Sequence, residues 1–179
     1  EVDNQGEKSV VEAKHVIIAT GSVPRPLPGA DVDNQTILDN EGALNLTKVP
    51  AKLGLIGSGV IGLEMGSVWN RLGADVTVLE AMPKFLANTD QQIAREAFKV
   101  LTKEQGMSIL LGVKINKVSN NGDSVTVDYE VGGEAKSDTY DKLVVAIGRI
   151  PNTNGLNAEA VGLAKDERGF ITVDADCRT

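Results

Sequence analysis

The hydrophobic pattern of this chain changes period several times, and each change marks an element. Between Lys52 and Glu80 a short apolar run, Leu53-Gly54-Leu55-Ile56, gives way to apolar positions at helical spacing, Ile61, Met65, Val68 and Leu72. A second run, Val76, Val78 and Leu79, follows after Gly73. Short continuous runs predict strands buried on both faces, whereas a 3.6-residue recurrence predicts a helix with one apolar stripe. Gly73 stands where helices commonly end in the left-handed conformation. Strand, helix and strand in this order predict a βαβ unit whose two strands are parallel neighbours.

The same reading extends outwards. Residues 9–18 predict a strand whose second half, Val16-Ile17-Ile18, is continuously apolar and so expected to be buried; it closes on Ala19-Thr20-Gly21-Ser22. A connection punctuated by Pro24, Pro26, Pro28 and Pro50 follows, with a short helix expected near residues 39–46. Thr89 with Gln92 three residues on reads as a capping box for a second helix, with Ile93, Ala97 and Leu101 as its buried stripe and Gly106 as its end. Residues 107–111 predict a third parallel strand. Residues 114–118, 124–130 and 135–139 are separated by the turn signals Asn121-Gly122 and Gly132-Gly133, and Val125, Val127 and Tyr129 alternate with polar positions. They predict a three-stranded antiparallel β-meander. Residues 142–147 are a fourth parallel-strand candidate, ending on Gly148-Arg149. A short helix near residues 157–161 and a strand at 170–173 complete the pattern. The fold class is α/β: a Rossmann-like parallel sheet with helices and a meander.

Composition narrows the function. Of 179 residues, 41% are apolar and 24% charged, the balance of a soluble globular protein. The net charge is −7 and lysines and arginines do not cluster, which argues against nucleic acid as a partner. No apolar stretch is long enough to span a membrane, and the polar N-terminus carries no targeting pattern. One cysteine, Cys177, allows no internal disulfide and points to a reducing compartment. The missing initiator Met is the pattern expected of an excised fragment or a processed chain, and a buried-type strand at 9–18 with no obvious neighbours adds a hint of truncation.

The candidate chemistry sits at Gly57-Ser58-Gly59-Val60-Ile61-Gly62. A glycine at each of three positions allows a sharp strand-to-helix turn, close approach of backbone to a pyrophosphate, and close packing of helix on strand. Peptide N–H groups at the helix start then face the phosphates, favoured by the helix dipole. Glu80 ends the second strand at about the 20-residue spacing of a ribose-binding acid. Its carboxylate accepts hydrogen bonds from ribose hydroxyls and repels a 2′-phosphate, and Ala81-Met82-Pro83 supplies no arginine, so NAD is expected over NADP. Glu64 has two readings: an acid near a positive helix end, or a group facing the nicotinamide. His15, the single histidine, is expected to be a packed or edge residue without a catalytic role. No metal-ligand cluster and no nucleophile-base pair can be assembled. The chain shows a binding site and no catalytic residue.

These residues resemble a known family. Gly57–Glu64 with the following Gly66-Ser67-Val68-Trp69-Asn70-Arg71-Leu72-Gly73 is similar to the dihydrolipoyl dehydrogenases among the flavin-dependent disulfide oxidoreductases. The segments Ile18-Ala19-Thr20-Gly21-Ser22, Leu46-Thr47-Lys48-Val49-Pro50, Val145-Ala146-Ile147-Gly148-Arg149-Ile150-Pro151-Asn152 and 169–174 agree with it. The resemblance implies an NAD-binding domain at 22–148 lying between the end of an FAD-domain segment at 1–21 and the start of a returning segment at 149–179. It implies NAD contacts at Gly57, Ser58, Gly59, Val60, Ile61, Gly62, Glu64, Glu80, Gly148 and, beside the adenine, Ile115. It implies that Thr20, Gly21 and Ser22 touch FAD in the full-length enzyme. Further implications are a homodimeric parent that serves 2-oxoacid dehydrogenase complexes, in the bacterial cytoplasm or the mitochondrial matrix. The family's FAD-binding glycine loop, its redox cysteine pair and its dimerisation domain have no counterpart in these residues, so the chain alone is expected to bind NAD(H) without turnover. Two alternatives stand beside this: an interaction module with an incompetent pocket, and the NAD domain of another flavoprotein disulfide reductase.

Overall fold

The computed structural model describes residues 1–179, which divide into two compact units. One joins Glu1–Ser22 with Pro151–Thr179, and the other is Val23–Ile150. The first begins with a hairpin of β1 (Val2–Asn4) and β2 (Glu7–Ser9), turned at Gln5-Gly6, both of which take positive φ. The chain passes between units along β3 (Ser22–Pro24) and returns along β12 (Arg149–Pro151). In the first unit Asn152 donates its backbone N–H to the Gly21 carbonyl at 2.9 Å and its amide to the Thr20 carbonyl at 3.2 Å.

The second unit carries the site. In chain order it holds β4 (Ile37–Leu38), α1 (Asn40–Leu44), β5 (Lys52–Ile56), α2 (Val60–Arg71), β6 (Asp75–Glu80) and α3 (Gln91–Lys99). Next come a π-turn at Val100–Glu104 and β7 (Ser108–Leu111), then β8 (Lys114–Asn120), β9 (Val125–Val131), β10 (Glu134–Tyr140) and β11 (Lys142–Val145). The strands β4-β11-β5-β6-β7 form one five-stranded sheet, every pair parallel. The antiparallel sheet β10-β9-β8 is the predicted meander.

Side-chain alternation explains the layering. Leu53, Leu55, Val76, Val78 and Val144 face the helices, packing with Leu63, Trp69, Met107 and Ile109. Their neighbours Ile56, Leu79, Leu143 and Val145 face the other way, against Val125, Val127 and Tyr129 of the meander. A sheet covered on both sides needs apolar residues at nearly every position, which is why β5 and β6 read as continuous runs. Each Leu or Val buried this way contributes about 1.5–3 kcal/mol. The one buried polar group on α2, the Trp69 indole, donates to the Ala43 carbonyl at 3.2 Å and ties α2 to α1.

Several expectations need correction. Residues 10–18 form no strand: Val10, Val16 and Ile17 are 76%, 81% and 89% exposed. A strand requires a neighbour for its backbone hydrogen bonds, and nothing runs beside this stretch. His15 is exposed within it rather than packed. Residues 170–173 likewise form no strand beyond a single bridge between Lys165 and Ile171. The buried line of α2 is Gly62, Leu63, Gly66 and Trp69, with Val68 and Leu72 exposed. The cap of α3 is Asp90, whose carboxylate accepts from the N–H groups of Gln92 and Ile93 at 2.9 and 3.2 Å, one residue later than the Thr89 box. In α3 only Ala94 is buried and Ile93 is exposed. The short helix near the C-terminus is a 3-10 turn at Ala158–Val161.

Candidate functional site

In the parallel sheet the chain moves from β5 outwards to β6 and β7, then returns to place β11 on the opposite side of β5. Connections leaving β5 and β11 therefore diverge, and a crevice opens at the carboxyl ends of these two strands. Open α/β sheets bind ligands at such a switch point. Here it is a cleft of about 460 Å³, lined by Ile56, Gly57, Gly59, Val60 and Ile61 from the first connection and by Val145, Ala146, Ile147 and Gly148 from the second. Leu79, Glu80, Ala81 and Met82 close one end, Ile115 adds an apolar wall, and Pro24, Asn40 and Arg149 complete the lining.

The three glycines have different reasons to be glycine. Gly57 takes φ +104, and a β-carbon there would meet the Ala146 carbonyl oxygen at 2.5 Å. Gly62 has no room for a β-carbon because the Gly57 carbonyl oxygen occupies that space. Gly59 differs: its φ is −71, and a β-carbon would meet nothing within 4 Å. The protein itself does not require glycine at 59. The open space before it lies at the start of α2, where the N–H groups of Val60, Ile61 and Gly62 have no acceptor within the helix. No side chain caps this end. An anionic group approaching Gly59 meets those donors and the positive end of the helix dipole.

Glu80 stands at the other side of the loop. Its Oε2 accepts the Ser58 N–H at 2.6 Å and its Oε1 accepts the Met82 N–H at 2.7 Å. Each oxygen retains a lone pair for a hydroxyl donor. Glu80 is the one acid and Arg149 the one cation among the lining side chains. Arg149 donates through Nη1 to the Asn40 Oδ1 at 3.2 Å, and the Arg25 N–H donates to the Gly148 carbonyl at 2.9 Å.

The structure thus brings Gly57, Gly59, Val60, Ile61, Glu80, Ile115 and Gly148 to one cleft. Ser58 is buried and reaches Glu80 through its backbone, and Gly62 sits beneath the loop. Glu64 is exposed on α2 and does not line this cleft; it borders a separate apolar groove between α2 and α3 with Ser67 and Leu101. Thr20, Gly21 and Ser22 belong to the other unit. Sequence reasoning missed Ala146, Ile147, Met82, Asn40 and Arg149. The first two were findable, because they follow a parallel strand at its carboxyl end, where such sites lie. Asn40 is 109 positions from Arg149 and carried no local signal.

The model of the pyridine nucleotide-disulphide oxidoreductase family matches residues 1–179. The chain belongs to that family. Dihydrolipoyl dehydrogenase of Cupriavidus necator is 57% identical over 180 residues, a match spanning 100% of this chain and 37% of that protein. The mitochondrial dihydrolipoyl dehydrogenase of Schizosaccharomyces pombe is 41% identical, over 99% of this chain and 35% of that protein. Among solved structures, LpdA of Mycobacterium tuberculosis superposes with a TM-score of 0.76 at 30% identity, covering 87% of this chain and 33% of that one. A Cu(II) complex of the HOCl-induced flavoprotein disulfide reductase RclA from Escherichia coli gives 0.74 at 36% identity, covering 87% and 34%. The resemblance read from the glycine loop and its flanks is borne out, as is the Rossmann-like fold class. The chain spans about a third of the length of these relatives. No helix is long and apolar enough to cross a membrane.

Proposed function

We propose that Val23–Ile150 is the NAD(H)-binding part of a flavin-dependent dihydrolipoyl dehydrogenase. The observation that carries this reading is the unfilled space before Gly59, at a helix start whose first N–H groups have no partner within the helix, with an acid at one end of the same cleft. Those N–H groups hold a pyrophosphate, Glu80 accepts the adenosine ribose hydroxyls, Ile115 packs beside the adenine, and the backbone at Gly148 borders the remaining half of the ligand. NAD supplies a hydride acceptor when bound. The chain's own residues bind and orient it: Glu80 selects against a 2′-phosphate, and the apolar wall of Ile56, Leu79 and Val145 excludes water. Residues 1–21 and 149–179 are pieces of an FAD domain, with Thr20, Gly21 and Ser22 contacting FAD in the full-length enzyme.

The full-length protein reoxidises dihydrolipoamide through a redox disulfide and FAD and reduces NAD⁺, as a homodimer within 2-oxoacid dehydrogenase complexes, in the bacterial cytoplasm or the mitochondrial matrix. With Cys177 as its single cysteine, the 179-residue chain binds NAD(H) without turnover. Calorimetric titration of the chain with NAD tests this. Saturable binding that weakens in Glu80→Ala supports the reading, and no heat at millimolar NAD overturns it.

One observation favours a second reading. The exposed apolar side chains of Val10, Val11, Val16 and Ile17 suit an interaction module that associates through residues 10–18. Light scattering separates the two: a monomer at high concentration counts against the module.

A further inference from the structure

Glu80 already holds two backbone N–H groups of the protein itself. Its two carboxylate oxygens hold N–H groups from two different turns: Ser58, inside the glycine loop, at 2.6 Å and Met82, in the loop that leaves β6, at 2.7 Å. Ser58 is 2% exposed, so in the folded protein its N–H relies on the carboxylate rather than on water. The only other backbone lace between the loop and β6 is the Gly57 N–H on the Leu79 carbonyl at 2.9 Å. Beyond Ser58 come Gly59 and the first N–H groups of α2, whose positions are set by how the loop leaves β5.

We propose that Glu80 is a positioning residue that fixes the glycine loop in its anion-binding form before ligand arrives, separately from any bond to a ribose. This deepens the NAD reading and rests on it for the identity of the ligand. The chemistry is specific to a carboxylate. Both of its oxygens are acceptors, so one group satisfies two N–H donors and still offers a lone pair on each oxygen. Bonds of this kind to an ionised acceptor are roughly twice as strong as neutral ones. An amide has one acceptor and an NH₂. In Glu80→Gln, one of the Ser58 and Met82 N–H groups faces a donor, and the tie that joins the glycine loop to the turn after β6 is broken at one end. A donor array for an anion works only when held in place, so loosening the loop weakens every ligand that uses it.

The test separates positioning from ribose binding. NAD and an NAD analogue lacking both hydroxyls of the adenosine ribose are titrated into the wild type and Glu80→Gln. A ribose-only role leaves the dideoxy analogue binding both proteins equally. Positioning predicts that Glu80→Gln weakens the analogue too, by about tenfold, the loss expected for one charge-assisted hydrogen bond. Amide exchange on the ligand-free proteins gives a second readout. At least one of the Ser58 and Met82 amides is expected to exchange about tenfold faster in Glu80→Gln, while those of Val76 and Val78 within β6 stay protected and show that the sheet is intact. Equal affinity of the analogue for the two proteins overturns the proposal. Where the wild type binds neither dinucleotide the NAD reading itself falls, and exchange alone then decides: retained protection at both Ser58 and Met82 overturns the clamp, lost protection at either sustains it.

Discussion

The carbonyl oxygen of Gly57 lies against the α-carbon of Gly62, in the space a β-carbon would take. Gly62→Ala must therefore displace backbone, and it is expected to lower stability by about 1–3 kcal/mol. Gly66→Ala is expected to cost less, because its β-carbon would meet the Leu55 Cδ1 at 2.6 Å and the Met107 Cε at 2.8 Å, the far ends of side chains that can turn away. At Gly59 alanine meets no protein atom. A weaker helix cap and a less flexible unfolded chain oppose each other there, leaving stability within about 1 kcal/mol of wild type. NAD affinity, by contrast, should fall at least about tenfold in Gly59→Ala, as the β-carbon enters the space kept for the pyrophosphate. Urea unfolding followed by the fluorescence of Trp69, the single tryptophan, checks the stabilities. Equal destabilisation at 59 and 62 would contradict the account.

The same glycines show why part of the fold was legible in the sequence and part was not. The parallel strands announced themselves because burial on both faces leaves an unbroken apolar run, as in Leu53–Ile56. The helix between them was placed correctly, and the glycine motif marked its close contact with the strand, yet its apolar stripe is not the buried face. The stripe of Ile61, Met65, Val68 and Leu72 follows apolar side chains, whereas the face against the sheet is built on Gly62 and Gly66, where a missing side chain brings the helix close. Hydrophobicity does not register an absence. Residues 10–18 failed in the opposite sense: their pattern is that of a buried strand, but a strand is a property of two segments, and no second segment pairs with this one. The cleft was half legible. The glycine loop and Glu80 are local in sequence; the wall after β11 and the Asn40–Arg149 contact arise only when the strand order is known.

The two tyrosines of the chain give a prediction at high pH. Tyr129 donates to the Asp138 carboxylate at 2.6 Å, and burial, then that carboxylate, push its hydroxyl up to about 12. Burial, then the charge of Asp138, push Tyr140 up as well. The folded protein is expected to show no tyrosinate absorbance near pH 10, its ordinary midpoint, while the urea-unfolded chain titrates there. A raised folded value means the native state holds the proton more tightly. The stability this provides is complete below about pH 10 and is lost as pH rises towards 12. In Tyr129→Phe that alkaline loss should shrink. A native spectrum titrating near pH 10 would refute the Tyr129–Asp138 hydrogen bond.

At low pH the telling group is Asp33. Burial raises its carboxyl, but the N–H groups of Gln35, Thr36 and Ile37 and the amide of Asn120 outweigh that, holding it below its ordinary value of 3.8. The bonds are 2.8 to 2.9 Å long and join the entry to β4 with the meander. A depressed folded value gives stability that is present above about pH 4 and is lost as pH falls through the folded value. Asp33→Asn should therefore be less stable than wild type at neutral pH, with the gap narrowing below about pH 4. Denaturant midpoints across pH 2–7 measure it. A gap that stays constant to pH 2 would show that ionisation of Asp33 is irrelevant.

Cofactor choice isolates the charge of Glu80 from its effect on the loop. A 2′-phosphate on the adenosine ribose would be brought towards an ionised carboxylate, with Ala81, Met82 and Pro83 next in sequence and no arginine among them. Like charges at such range cost enough that NADP is expected to bind at least about tenfold more weakly than NAD. In Glu80→Ala both dinucleotides lose affinity, because both use the glycine loop that the carboxylate braces. The repulsion is specific to NADP and the bond to the ribose 2′-hydroxyl is specific to NAD, so losing both should move the ratio of the two dissociation constants towards one. That ratio is insensitive to any general loosening of the loop. It should also shrink in the wild type as salt rises, since the repulsion lies in a cleft open to solvent and is screened there. A ratio unchanged by the substitution would place the discrimination elsewhere in the cleft.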